Sequence, residues 1–159
     1  LRQRLFPLAT VVTPNLHEAE VLAQREVRSV RDAEEVGRLL LDDGPSAVLV
    51  KGGHLLAERA TDVLVTAEGT QVIPGEWIDT RHTHGTGCTY SAAIATHLAR
   101  GRPLLEAVKL AKGYVTEAIR DGFAVGAGTG PTDHFFYLRR DDPAEWTARL
   151  SVRESRDES

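Results

Sequence analysis

The chain has 159 residues, of which 42% are hydrophobic and 26% are charged, and this composition is typical of a globular domain with its own core. A formal net charge of −4 does not favour a nucleic-acid partner, and no apolar run reaches the length of a membrane span. We expect a cytoplasmic protein, because no signal peptide is recognisable and a single cysteine cannot form an internal disulfide.

The chain contains no methionine and begins with Leu1. Translation starts with Met, and the initiator is seldom removed before Leu. We therefore expect the sequence to be a piece of a longer polypeptide, or to have a trimmed terminus, with residues missing on the N-terminal side.

Residues 1–78 contain patterns of both strands and helices. Asn15 is followed three residues later by Glu18, and this spacing predicts a capping box at the start of a helix over residues 16–24. Periodicity predicts a second helix over 31–43. The β-branched and apolar runs predict buried strands at 9–13 and 47–51, and two more strands at 61–66 and 71–78 that a turn at Glu68-Gly69 could join as a hairpin.

Residues 82–136 contain a glycine-rich turn, two helices and a second glycine-rich segment. We predict a helix over 86–100 that Gly101 ends, and a helix over 103–120 with one apolar stripe. The residues from 139 onward are charged, and 151–159 contain almost no apolar side chain, so we expect disorder there, with one short helix near 143–150.

The alternation of strands and helices predicts an α/β layered domain with a mostly parallel sheet. Ligands bind to such sheets at the carboxyl ends of the strands. Three polar clusters follow predicted strands, namely residues 15–18, residues 51–54 and the glycine turn at 82–88. We therefore expect these clusters to converge at one edge.

The turn reads HTHGTGCTYSAAIA over residues 82–95 and leads directly into an Ala-rich helix. A backbone with so little side-chain bulk can direct several N–H groups at one point, and the helix N-terminus adds partial positive charge. This arrangement suits a phosphate, or the charge that develops during phosphoryl transfer. Cys88, the only cysteine, lies within the turn.

Several stretches together resemble the phosphomethylpyrimidine kinases of thiamine biosynthesis, within the ribokinase-like superfamily. The resemblance runs from about residue 7 to residue 136 and implies a ribokinase-like fold of which this chain is the C-terminal, nucleotide-side part. The matching stretches are TPNLHEAEVL (13–22), VLVKGGH (48–54), TDVLV (61–65), DTRHTHGTGCTYSAAIATHLARG (79–101), AKGYVTEAI (111–119) and GTGPTDHF (128–136).

The resemblance implies that Gly85, Thr86, Gly87 and Cys88 form an anion hole whose backbone N–H groups stabilise the transferred phosphoryl group. Most of the superfamily has an Asp base at the position of Cys88, whereas the pyrimidine and thiazole kinases have Cys. Its thiolate would take the proton of the substrate hydroxymethyl group. From the local sequence alone, a small buried thiol that only packs under the helix is an equally good interpretation.

The nucleotide and metal ligands also follow from the resemblance. It assigns Lys51 to the phosphates of ATP, and Asp62, Thr80 and His84 to the nucleotide region; an exposed lysine and a simple turn are the plainer interpretations. Asn15 and Glu18 match an N-x-x-E pattern that holds Mg²⁺, often through water, and a helix cap is compatible with that role. His82, His84 and Cys88 lack a fourth ligand for zinc.

Three positions depart from the family pattern. Thr129 and Asp133 stand where the C-terminal motif usually has His and Asn, while His134 is kept, so contacts on the adenine side and loop packing are expected to differ. His17 replaces the more usual Pro and should face solvent.

The resemblance implies an Mg-ATP-dependent kinase that phosphorylates 4-amino-5-hydroxymethyl-2-methylpyrimidine and then its monophosphate, with a homodimer as the expected assembly. A pyridoxal or hydroxyethylthiazole kinase of the same superfamily, and an inactive nucleotide-binding fragment, are the alternatives. We expect residues 1–140 to belong to the kinase domain and residues 141–159 to form a charged tail.

Overall fold

The computed structural model describes residues 1–53 and 59–139, so the predicted tail at 141–159 and helix at 143–150 lie outside the described residues. The chain divides into two compact units, Leu1–Trp77 (unit 1) and Ile78–Ser159 (unit 2). Short 3-10 helices cover Phe6–Leu8 and Phe136–Leu138. The helices and strands are α1 (Leu16–Ala23), α2 (Val30–Leu41), β1 (Ala47–Val50), β2 (Asp62–Thr66), β3 (Gly69–Ile73), α3 (Thr86–Ala99) and α4 (Leu104–Arg120).

The sheet of unit 1 has the order β1-β2-β3, and both pairings are antiparallel, so the prediction of a mostly parallel sheet is wrong for these strands. Residues 67–68 alone join β2 to β3, which confirms the predicted hairpin and excludes a parallel pairing. The predicted bounds of its second strand, 71–78, are wrong, because β3 covers Gly69–Ile73. Residues 51–61 join β1 to β2, fewer than the dozen or more that a parallel crossover needs.

Within residues 1–53 and 59–139, parallel pairing is confined to isolated bridges, among which Val12 pairs with Val48 and Asn15 with Lys51. The predicted buried strand over residues 9–13 is therefore wrong: this segment is half-buried or exposed and makes a bridge in place of a regular strand. The segment is short because a 3-10 helix precedes it and the cap of α1 follows it.

The core of unit 1 forms where α2 packs on β1 and β2. One face of α2 contributes Val36 and Leu40, and the strands contribute four valines that are at most 1% exposed: Val48, Val50, Val63 and Val65. Gly37 lets the helix approach the sheet, because a Cβ at this position would lie 2.6 Å from the Cγ2 of Val65. Both α1 and α2 begin with complete capping boxes, at Asn15 and Ser29.

Unit 2 is built on the packing of α3 against α4. The helices follow the predicted bounds, and Gly101 lies in the turn between them with a φ of +81°. Phe136 is fully buried and packs on Tyr114 with ring centroids 5.5 Å apart. In the part of the chain that the structure describes, no helix is long and apolar enough to cross a bilayer.

We expect Gly37→Ala to destabilise unit 1 by about 1–2 kcal/mol, because overpacking against Val65 outweighs the gain of about 1 kcal/mol in helix propensity. Gly113→Ala is the matched control, because a Cβ there meets nothing within 4 Å, and it should stabilise the chain by up to about 1 kcal/mol. Urea unfolding of both variants measures the difference, and equal effects would contradict the packing argument.

Candidate active site

Asn15 and Glu18 form the start of α1, and the predicted capping box is confirmed. The Asn15 Oδ1 accepts the Glu18 N–H at 2.8 Å, and the Glu18 Oε2 accepts the Asn15 N–H at 2.7 Å. Both residues are exposed. The second carboxylate oxygen of Glu18 remains for a ligand, and one such oxygen suits an Mg²⁺ ion that keeps most of its waters.

Lys51 lies beside Asn15, because the segment before α1 pairs with the end of β1. The backbone N–H of Lys51 donates to the Pro14 carbonyl at 2.9 Å. Two of the three predicted clusters are therefore neighbours within unit 1. Among the described residues, none forms a hydrogen bond or ion pair with the half-buried Lys51 ammonium group, so a phosphate can be its partner.

Asp62 opens β2 and holds the backbone that follows Lys51. Its Oδ1 accepts the N–H of the buried Gly52 at 3.0 Å, and the residue is only 4% exposed. Because a carboxylate that is buried against the backbone fixes a loop, the geometry favours a positioning role for Asp62 over direct contact with a nucleotide.

The glycine turn directs backbone N–H groups outward at the start of α3. Gly85 is the N-cap residue with a φ of +85°, a conformation that glycine adopts without strain. Within residues 1–53 and 59–139, the N–H groups of Gly85, Gly87 and Cys88 donate to no acceptor. Of the four predicted donors, only Thr86 is engaged, since its N–H donates to the Thr83 carbonyl at 3.2 Å.

Cys88 is exposed, so the interpretation as a buried packing thiol is wrong. Cys88 lies in the first turn of α3, the same turn that contains the open N–H groups.

Thr80 and His84 support the turn by hydrogen bonds that involve backbone groups. The Thr80 Oγ1 accepts the His82 N–H at 3.1 Å. His84 donates its N–H to the Gly130 carbonyl at 3.1 Å and accepts from the Thr132 N–H at 3.2 Å, while its side chain is exposed. Contact of either side chain with a nucleotide stays a prediction. No three His, Cys, Asp or Glu side chains of the described ranges are grouped as metal ligands.

A cleft of about 700 Å³ lies between α3 and α4, and sequence reasoning missed most of its lining. Its polar and small residues include Gly85, Cys88, Thr89, His97, Tyr114 and His134. Residues three and four positions apart in α3 lie on one face of the helix, and this spacing is the sequence signal that could have placed Thr89 in the cleft.

Two titratable side chains of this cleft, His97 and Tyr114, have shifted pKa values. Burial lowers the pKa of His97, and the nearby Arg102 and Arg100 lower it further. Burial raises the pKa of Tyr114. Both side chains are therefore uncharged at neutral pH.

We expect Asp62→Ala to destabilise unit 1 by about 1–3 kcal/mol, because the buried Gly52 N–H loses its acceptor. Asp62→Asn keeps an acceptor oxygen and should cost less, and Asp79→Ala, at an exposed position, should stay within about 0.5 kcal/mol. Denaturant unfolding and amide exchange at Gly52 check this prediction. Unchanged exchange at Gly52 in Asp62→Ala would argue against the positioning role.

Comparisons with known proteins match this geometry to one family. The family model for phosphomethylpyrimidine kinase matches residues 1–133. A hydroxymethylpyrimidine/phosphomethylpyrimidine kinase from Staphylococcus aureus (strain MRSA252) is 45% identical over 143 residues, which are 89% of this chain and 52% of the relative. Its counterpart from Rhizobium meliloti (strain 1021) is 47% identical over 142 residues, 85% of this chain and 52% of the relative.

The chain is also similar to solved structures of pyridoxal kinases. The ADP complex of Bacillus subtilis pyridoxal kinase is similar with a TM-score of 0.83 at 42% identity, over 88% of this chain and 53% of that one. Staphylococcus aureus pyridoxal kinase with AMP-PCP gives 0.82 at 34% identity, over 87% and 51%. This chain spans about half the length of these relatives. Since the family model covers most of its residues, the chain belongs to the phosphomethylpyrimidine kinase family, which has the ribokinase-like fold.

Proposed function

We propose that this chain carries the phosphoryl-transfer chemistry of a kinase that uses Mg-ATP to phosphorylate 4-amino-5-hydroxymethyl-2-methylpyrimidine and then its monophosphate. The proposal rests on the turn at the start of α3. Among the described residues, the backbone N–H groups of Gly85, Gly87 and Cys88 have no acceptor, and the Cys88 thiol is exposed. Membership of the phosphomethylpyrimidine kinase family supports the same reaction.

In unit 2, the Cys88 thiolate takes the proton of the substrate hydroxymethyl group as its oxygen attacks the γ-phosphorus of ATP. The bond between that phosphorus and the β,γ-bridging oxygen breaks, and ADP leaves. The negative charge on the transferred group is stabilised by the N–H groups of Gly85, Gly87 and Cys88, which need no reorganisation. Thr86 holds the turn in this conformation through its bonds to Thr83.

In unit 1, the Lys51 ammonium group binds phosphate oxygens of the nucleotide, and Asp62 holds the loop that follows it. Asn15 and Glu18 are the residues that would hold Mg²⁺, since one carboxylate suits an ion that keeps most of its waters. The ion, when bound, neutralises charge on the phosphates. The relatives solved with ADP and with AMP-PCP support the use of ATP.

Pyridoxal phosphorylation is the second candidate function. The pyridoxal kinases from Bacillus subtilis and Staphylococcus aureus match this chain with TM-scores of 0.83 and 0.82. The same deprotonation and charge stabilisation serve both substrates, because each presents a hydroxymethyl group on a nitrogen-containing aromatic ring. The family match and the curated relatives favour the pyrimidine.

A coupled ADP-release assay separates the candidates. We would measure the chain itself and two chimeras, in which residues 1–139 replace the matching segment of the Staphylococcus aureus pyrimidine kinase or pyridoxal kinase. We expect turnover of the pyrimidine in the first chimera, and in the second a higher ratio of pyrimidine to pyridoxal kcat/KM than in its unmodified host. Pyridoxal preference in both chimeras would support the second candidate, and absence of ADP release from all three proteins would overturn the proposal.

Cys88→Ala should lower kcat by about 10²–10⁴-fold, the usual contribution of a general base, with little change in the KM for ATP. Cys88→Asp should keep more activity, because the carboxylate supplies a base at the same position. Since carboxylic acids lose their proton at lower pH than thiols, the acid limb of the pH–rate profile should move to lower pH in Cys88→Asp. Equal rates for wild type and Cys88→Ala would remove the thiolate from the mechanism.

A further inference from the structure

The segment after α4 returns to the first turn of α3, and Asp133 fixes this segment to the end of α4. This residue is 3% exposed, and its N–H donates to the Ala118 carbonyl at 2.8 Å. The Oδ1 of Asp133 accepts the Phe135 N–H at 2.9 Å, and its other oxygen forms an ion pair with Arg139. The residue between Asp133 and Phe135, His134, is therefore fixed on both sides.

Two contacts fix His134 itself. The Tyr114 hydroxyl donates to the His134 carbonyl at 2.9 Å, which ties the segment to α4. The His134 Nδ1 lies 3.5 Å from the Oγ1 of Thr89, and Thr89 is buried in the first turns of α3.

The Thr89 hydroxyl has a defined direction. It donates to the Gly85 carbonyl at 2.9 Å, and the Thr89 N–H donates to the same oxygen at 2.9 Å. Because the hydroxyl proton is directed at Gly85, the oxygen of Thr89 is left as an acceptor for His134. With the His134 proton on Nδ1, the chain of donors runs from the His134 Nδ1–H to Thr89 and from Thr89 to the carbonyl of Gly85.

We propose that His134 is a positioning residue for the phosphoryl-transfer turn, and that its Nδ1–H holds the Thr89 hydroxyl on the Gly85 carbonyl. Gly85 adopts a φ of +85°, and its carbonyl shares a peptide plane with the Thr86 N–H, directly before the open N–H groups of Gly87 and Cys88. Because both the hydroxyl and the N–H of Thr89 donate to this carbonyl, the peptide plane of Gly85 cannot rotate freely. The open N–H groups that follow it therefore keep one direction. As far as turnover is concerned, this inference rests on the proposed function.

The tautomer of His134 tests the inference without turnover. In the ¹⁵N-histidine-labelled chain, two-bond ¹H–¹⁵N spectra should show His134 with its proton on Nδ1, and Thr89→Val should change that signal. Thr116→Val is the matched control, because Thr116 makes the same hydroxyl bond to the carbonyl four residues before it, in α4, at 2.9 Å. A proton on Nε2 in the unmodified chain, or equal spectra for Thr89→Val and Thr116→Val, would overturn the proposal.

Kinetics in the pyrimidine-kinase chimera give the second measurement. His134→Leu should lower kcat about tenfold with the KM for ATP unchanged, and His134→Asn should recover most of the rate because its amide N–H can replace Nδ1–H. Equal rates for His134→Leu and the unmodified chimera, or no recovery in His134→Asn, would contradict the positioning role. If neither chimera nor the chain itself releases ADP, the proposed function fails, and the histidine spectra still decide the role of His134.

Discussion

The direction of the first N–H groups of α3 is the constraint on which the proposed chemistry depends. A helix leaves its first four N–H groups without partners in the helix, and an N-cap side chain usually accepts one of them. Position 85 has no side chain to offer, and the left-handed conformation of Gly85 turns the chain away before the helix begins. The N–H groups that a cap would have used therefore remain for an anion.

The helices of unit 1 show the opposite solution to the same problem. Asn15 and Ser29 cap α1 and α2 with complete capping boxes, each of which satisfies two backbone groups. An uncapped start is less stable, by about 1 kcal/mol for a typical cap. Hydroxyl groups of Thr86 and Thr89 bond backbone carbonyls on either side of the turn, so α3 is stabilised by contacts that leave its outward N–H groups free.

The elements that sequence patterns predicted well are those with local causes. Helix stripes, capping spacings and the two-residue hairpin turn involve residues a few positions apart, and α1 to α4 and the β2–β3 hairpin all agree with the prediction. Sheet topology is different, because an apolar run such as β1 reads the same whether its neighbours are parallel or antiparallel. The length of the connection at residues 51–61 was the sequence feature that indicated antiparallel pairing. The prediction relied instead on the apolar composition of the strands.

The same distinction separates the predictable and unpredictable parts of the candidate site. Asn15 with Glu18, and Thr86 with Thr83, are three residues apart, and the residue types of the glycine turn are enough to predict an anion hole there. Asp62 bonds a backbone group ten positions away and His134 approaches a side chain 45 positions away, so neither partner is visible in a local motif. A motif match named Asp62 as a ligand, whereas its burial and its bond to Gly52 favour a positioning role, and contact with a nucleotide stays a prediction. The groups proposed to bind phosphate lie close together in the sequence, and the groups that hold them in place come from distant segments of the same unit.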